Sequence, residues 1–231
     1  MKVPMFYGHT PLDLGEKAMP GRLIVIEGTD GVGRSTQIAL LKEWLETEGF
    51  AVSDTGFRRS SLTGNGIDRA KRGHILDHLT LNLFYATDFW DRMERSIVPA
   101  LEAGMVLLGD RYIFSIMARA RVRGVPAQWL DDVLEFAMVP DQVYFLDVDV
   151  EHLLPRVMAN RELDHWESGH DFLREPDRYA SFVRYQGALI QEFRNLARQY
   201  GFETIDARRS VREVFEDLQM GVRTVLEEMK S

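Results

Sequence analysis

The stretch "LIVIEGTDGVGRST", residues 23–36, decides the reading of this chain. Five apolar-to-acidic residues of strand length run into a glycine-rich turn, and the turn runs into a segment with helical spacing. Gly28, Gly31 and Gly33 free the backbone to approach an anion that side chains would block, so successive N–H groups can point at phosphate oxygens. Ser35 and Thr36 open a helix predicted over Gln37–Glu48, whose positive dipole end faces the same anion. The spacing is that of a phosphate-binding loop, G-x-x-x-x-G-K-[ST], with one discordant position: Arg34 stands where lysine is expected. Arginine keeps the charge but is longer, planar and bidentate, so the substitution changes geometry and leaves charge intact. Ser35 is the predicted Mg²⁺ ligand.

Outward from the loop, the chain alternates short apolar runs with helical segments. Leu23–Glu27, Ala51–Thr55, Met105–Gly109, Val143–Asp147 and Phe202–Asp206 have strand length, which predicts an α/β fold with a parallel sheet covered on both faces. Gly49, Gly104 and Gly201 sit where left-handed caps end the preceding helices. In Asp177–Gln199, Phe182, Tyr185, Leu189, Phe193 and Leu196 recur at three- and four-residue intervals, the stripe of a long amphipathic helix. Residues 1–20 are rich in Pro, Gly and charge and read as an N-terminal arm ahead of a kinase domain over 21–231. The polar, broken stretch at about 161–175 reads as a lid.

At 231 residues and 45% hydrophobic content the chain can bury one substantial core. Its net charge of −8 and pI near 5.3 give no whole-molecule attraction to nucleic acid, so phosphate handling must be local. There is no cysteine, which excludes disulfides, thiolate zinc sites and thiol nucleophiles. No apolar run approaches the roughly 20 residues of a membrane helix. The first twenty residues lack a secretory apolar core, and the expectation is a soluble cytoplasmic protein without membrane or nucleic-acid partners.

A second motif supports the loop. "MVLLGDRY" is a buried-strand run ending in Asp110, Arg111 and Tyr112, and ligands of open α/β sheets collect beyond the carboxyl ends of strands. Asp110 there can hold a Mg²⁺-bound water and Arg111 can neutralise a moving phosphoryl group; the alternative is an Asp helix cap beside a surface arginine.

"LIVIEGTDGVGRSTQ", "IVPALEAG", "GDRY" and "YFLDVDVEHLLPRVMANRELDHWE" together resemble the thymidylate kinases, over about residues 22–225 and in the same order. The resemblance implies a three-layer P-loop kinase fold, a five-stranded parallel sheet with helices on both faces and a mobile lid. It also implies transfer of the ATP γ-phosphate to dTMP with Mg²⁺, and a homodimer. By that resemblance Asp30 meets the acceptor sugar, Glu27 and Asp110 lie near the metal with Ser35, Arg111 contacts the acceptor phosphate, and Arg161 is the lid arginine. With Arg34, Asp110, Arg111 and Arg161 form the catalytic set. The donor contacts are Gly28, Asp30, Gly31, Val32, Gly33, Arg34, Ser35 and Thr36, with Arg208 against the adenine.

The acceptor half departs from the family pattern. The family's aromatic followed four positions later by arginine becomes Tyr85 and Phe89, of which Tyr85 can stack on a base and Phe89 cannot bind phosphate. Its "AYQG" becomes "ARAR", placing Arg119 and Ala120 where a tyrosine and a glutamine face the base. "GFRRSS" replaces the loop after the second strand, so Phe57, Arg58 and Arg59 join Tyr85, Phe89, Arg119, Asp30 and Arg111 as acceptor candidates. For "FRRSS" and "ARAR" a solvated surface cluster is the alternative. Two rival functions stay open: a kinase of this fold with another nucleotide acceptor, and a nucleotide-binding homologue without turnover.

Overall fold

The computed structural model of the chain describes residues 3–10, 18–57, 59–73, 76–160, 163 and 165–230. Five strands appear where the apolar runs predict them, each boundary within a residue: β1 Arg22–Glu27, β2 Val52–Gly56, β3 Val106–Asp110, β4 Gln142–Asp147 and β5 Glu203–Asp206. They form one parallel sheet in the order β2-β3-β1-β4-β5. β1 is central and fully buried because both of its faces are covered. Leu23 and Val25 point into one apolar cluster, Ile24 and Ile26 into the other.

The helices that cover those faces follow from the same chain order. On the face of Ile24 and Ile26 lie α1 (Arg34–Thr47), α7 (Val150–Asn160) and α9 (Val211–Lys230), contributing Leu41, Leu45, Leu153, Leu218 and Val222. On the other lie α3 (His78–Arg92), α4 (Val98–Glu102), α5 (Ile113–Val122) and most of α8 (Arg178–Tyr200), contributing Phe89, Leu101, Phe114 and Phe193. α2 (Gly64–Gly73) and α6 (Ala127–Leu134) complete the three-layer α/β fold.

The three stop glycines are left-handed, Gly49 at φ 87°, Gly104 at 77° and Gly201 at 71°. Asp177 caps α8, its carboxylate accepting from the Ala180 N–H at 2.8 Å. Between α3 and α4 the backbone widens into a π turn, Met93–Ile97, in which the Val98 N–H bonds the Met93 carbonyl. Pro99 has no N–H to continue a regular ladder there, and the shifted bonding accommodates it.

Of the N-terminal residues, Phe6 bridges antiparallel to Met138 and the Tyr7 ring packs edge-on to Phe114 and Tyr200, with centroids 5.8 and 5.4 Å away. Met19 is part of the buried core. Among the described residues no helix is long and apolar enough to cross a membrane.

Candidate active site

Because the strands are parallel, the carboxyl ends of β1, β3 and β4 share one edge of the sheet, and the glycine loop leaves from the central one. Register carries Asp110 to this edge beside Ile26 of β1 and Gly56 of β2. The loop glycines adopt positive φ, 147° at Gly28, 83° at Gly31 and 106° at Gly33. At Gly31 a Cβ would lie 2.6 Å from Val157 Cγ2 of α7, whereas at Gly33 it would meet open space. α1 begins at Arg34, three residues before the predicted start, so Arg34, Ser35 and Thr36 are its first turn.

The loop opens onto a cavity of about 540 Å³ lined by Gly31, Val32, Gly33, Thr36, Gln37, Arg156 and residues 207–211. Arg208 lies on its wall, exposed and forked onto Asp206 through two 2.8 Å bonds. Arg156, which sequence reasoning passed over, donates to the Ala207 carbonyl at 2.8 Å and ties α7 to the segment after β5. Its only advance sign was one further arginine in "LLPRVMANR", five residues before Arg161.

Ser35 Oγ donates to Asp110 Oδ2 at 3.1 Å, an exposed hydroxyl beside a carboxylate. That hard-oxygen pair suits Mg²⁺, which keeps several waters and takes one or two protein oxygens plus phosphates. No cluster of three or more His, Cys, Asp or Glu able to cage a metal occurs among the described residues.

Arg34 turns back on the loop. Its Nε donates to Asp110 Oδ1 at 2.9 Å, and its Nη1 to the carbonyls of Gly28, at 2.6 Å, and Thr29. Nη2 lies 4.0 Å from Asp30. Arg111 also reaches the Gly28 carbonyl, at 3.1 Å, and pairs with Asp30, whose second oxygen takes Arg119. Three guanidiniums thus surround two carboxylates, Asp30 and Asp110, and the buried Glu27 carboxyl also acts on Arg111 and Arg34. Burial, with Arg34 beside it, pulls the Arg111 guanidinium down to about 10, so it stays cationic at neutral pH. Arg111 is also the one described non-glycine residue with positive φ, 78°.

Of the residues expected on the acceptor side, Phe57 and Tyr85 lie near Arg111 and Arg119. The Phe57 ring lies 5.7 Å from Tyr85 and 6.0 Å from the Arg111 guanidinium carbon. Tyr85 and Arg119 line a small cavity of about 40 Å³ together with His78, Leu81, Asn82, Ala120, Arg123 and Trp166.

Two expectations need correction. Phe89 is fully buried, edge-to-face with Tyr112 at 4.8 Å, and is a core residue rather than an acceptor contact. Glu27 is also fully buried. Its Oε1 accepts from the N–H groups of Tyr112 (2.8 Å) and Ser115 (3.1 Å), and Oε2 from the Ser115 hydroxyl at 2.6 Å. It therefore holds the start of α5 and does not face a metal. Arg59 is committed to Asp54 of β2 at the sheet edge. Arg58 and Arg161 lie outside the described residues.

Burial pushes the Glu27 carboxyl above its ordinary value, against the pull of Arg111, Ser115 and the Tyr112 N–H. A raised folded pKa favours the protonated native state, so its contribution is full below the unfolded value of about 4.3 and is lost as pH rises through the folded value. The stability advantage of wild type over Glu27→Gln should accordingly shrink as pH rises above about 4.3, measured by urea unfolding across pH 4 to 8. A constant or growing advantage would contradict this assignment.

A glycine loop on the central strand, a hydroxyl–carboxylate pair and a guanidinium cluster at one sheet edge define a P-loop phosphotransferase. The particular family follows from comparison: the thymidylate kinase model matches residues 26–218, and the chain belongs to that family. It is 35% identical over 212 residues to "Probable thymidylate kinase 2" of Saccharolobus solfataricus, covering 91% of this chain and 97% of that protein. It is 39% identical over 148 residues to a probable thymidylate kinase of Thermococcus kodakarensis, 60% of this chain and 72% of that one. To the thymidylate kinase of Clavibacter sepedonicus it is 40% identical over 138 residues, 57% and 65% of the two chains.

Proposed function

We propose that the protein is an ATP-dependent dTMP kinase, working as a cytoplasmic homodimer. The observation that carries this reading is the convergence of Ser35 and Asp110 with Arg34, Arg111, Arg119 and Asp30 at the carboxyl edge of β1 and β3. ATP supplies the phosphoryl group; Ser35 and Asp110 would hold Mg²⁺, which would supply charge neutralisation to the phosphates. The backbone N–H groups of Gly31 and Gly33 and the first turn of α1 cradle those phosphates. Arg34 braces the loop and, with Arg111, offsets the charge that spreads over the moving group. Asp30 orients the acceptor through its two arginines, and Phe57 and Tyr85 hold the base by stacking. Residues 1–20 serve as an arm on the kinase domain of 21–231, and the segment at about 161–175, with Arg161, serves as the lid that excludes water.

Purified protein with ATP, Mg²⁺ and a panel of nucleoside monophosphates should turn over dTMP in preference to the rest. Preference for another acceptor, which Arg119 and the loss of an arginine at position 89 favour, moves the reading to a kinase of altered specificity. Turnover of none of them defeats it. Gly33→Val should abolish ATP binding in calorimetry while the protein stays folded. The added side chain meets open space beside the loop, and the substitution forces a β-branched residue to φ 106°. Unchanged ATP affinity in folded Gly33→Val would refute the loop assignment.

A further inference from the structure

The small cavity beside Tyr85 and Arg119 has walls from α3 and α5 and a third wall, Trp166, from the irregular chain between α7 and α8. Irregular chain makes an imprecise wall unless its surroundings hold it. Here one side chain makes several of the holding contacts. Arg123, just past the end of α5, donates to both oxygens of Asp171 (2.9 and 3.0 Å), to the Trp166 carbonyl (3.0 Å) and to the Tyr185 hydroxyl of α8. Its guanidinium carbon sits 4.7 Å from the Tyr185 ring centre, 5.1 Å from that of Phe172 and 5.9 Å from that of Trp166. Asp171 is 5% exposed and Arg123 8%, so the pair is shielded from water and from salt.

α8 adds two stitches of its own, Ser181 Oγ to the Ser168 carbonyl at 2.8 Å and Gln186 Nε2 to the Glu167 carbonyl at 2.6 Å. Those bonds hold the segment from the α8 side only. Arg123 ties it to the end of α5, the helix that carries Arg119, on which the Glu167 carboxylate of the segment also acts.

We propose that Arg123 is a positioning residue for acceptor binding: through Asp171 it fixes residues 165–173 against α5 and so places Trp166 as the third wall of the acceptor cavity. The proposal rests on reading that cavity as the acceptor site. Within the lid stretch of about 161–175 it assigns residues 165–173 to the acceptor-side wall, held against α5. Arginine is required because a lysine presents one ammonium where a planar fork now serves Asp171, a carbonyl and a hydroxyl together.

The test uses Asp171→Asn, whose side chain does not line the cavity, beside Arg123→Lys and the double variant. For each, dTMP and ATP kinetics are measured along with amide hydrogen exchange of residues 165–173. Expected are a rise in the dTMP KM on the order of tenfold in both single variants, no further rise in the double, kcat and ATP KM within about twofold of wild type, and faster exchange of the segment. An unchanged dTMP KM with a loosened segment overturns the proposal, as does a segment whose exchange is unaltered in both variants. Failure of the wild type to phosphorylate dTMP overturns the kinase reading instead. The exchange arm then still decides whether Arg123 holds the segment.

Discussion

Arg34→Ala is expected to lose phosphoryl transfer almost completely, by on the order of 10³-fold or more in kcat, while the protein remains folded. Two losses coincide. A cationic contact to charge developing in a water-excluded site is worth several kcal/mol. The same side chain also links Asp110 to the carbonyls of Gly28 and Thr29, so its removal frees the start of the loop and the carboxylate beside Ser35 together. Arg34→Lys separates the two roles. A lysine restores the charge but cannot reach Asp110 through one nitrogen and two carbonyls through another, so turnover should fall well below wild type and stay above Arg34→Ala. Steady-state kinetics with ATP and dTMP order the three proteins. An idle wild type that binds ATP and gains activity in Arg34→Lys would identify a binding protein that has lost its catalyst.

Arg111 should show the second large effect, and it divides into backbone and side-chain parts. Arg111→Ala and Arg111→Gly should both lose on the order of 10²- to 10³-fold in kcat/KM for the acceptor, because both remove the cation that pairs with Asp30 and, in the proposed reaction, meets the acceptor phosphate. They should differ in stability. At φ 78° alanine keeps a conformation that L-residues avoid, whereas glycine releases it, so the Gly variant should be more stable by about 1 kcal/mol in urea unfolding. Equal stabilities would show that the conformation carries no strain. Acceptor turnover within tenfold of wild type in either variant would remove Arg111 from the acceptor phosphate.

The five strands were legible because a doubly covered parallel sheet makes each of them a near-continuous apolar run, and the three cap glycines were legible because only glycine takes left-handed φ cheaply. Ser35 beside Asp110 followed from motif order. What spacing could not convey was direction. Glu27 and Asp110 end neighbouring strands, yet one carboxylate points under the sheet edge to the start of α5 and the other points up at Ser35. Phe89 occupies a position where the family has arginine, but there an apolar ring gains more from burial against Tyr112 than from facing the site. The π turn escaped notice because its cause, a missing N–H at Pro99, looks in sequence like an ordinary proline near a helix start. Arg123 stood in a run of arginines whose partners, Asp171 and Tyr185, are supplied by chain 48 and 62 residues away.

The order of the sheet also sets the order in which the protein can be made. β1 emerges from the ribosome first of the strands, yet its two hydrogen-bonded neighbours are β3 and β4: Leu23 pairs with Leu107, and Ile24 with Gln142. Until both have been synthesised, the strand that is buried along its whole length has open edges and the glycine loop has no wall on either side. Nucleation must therefore close long stretches of chain before the centre of the sheet gains contacts, which makes folding slow relative to local helix formation and leaves the nascent β1 dependent on protection from other strands. Weakening β3 or β4 should reduce the yield of folded protein more than weakening edge strand β2 or β5 to the same extent.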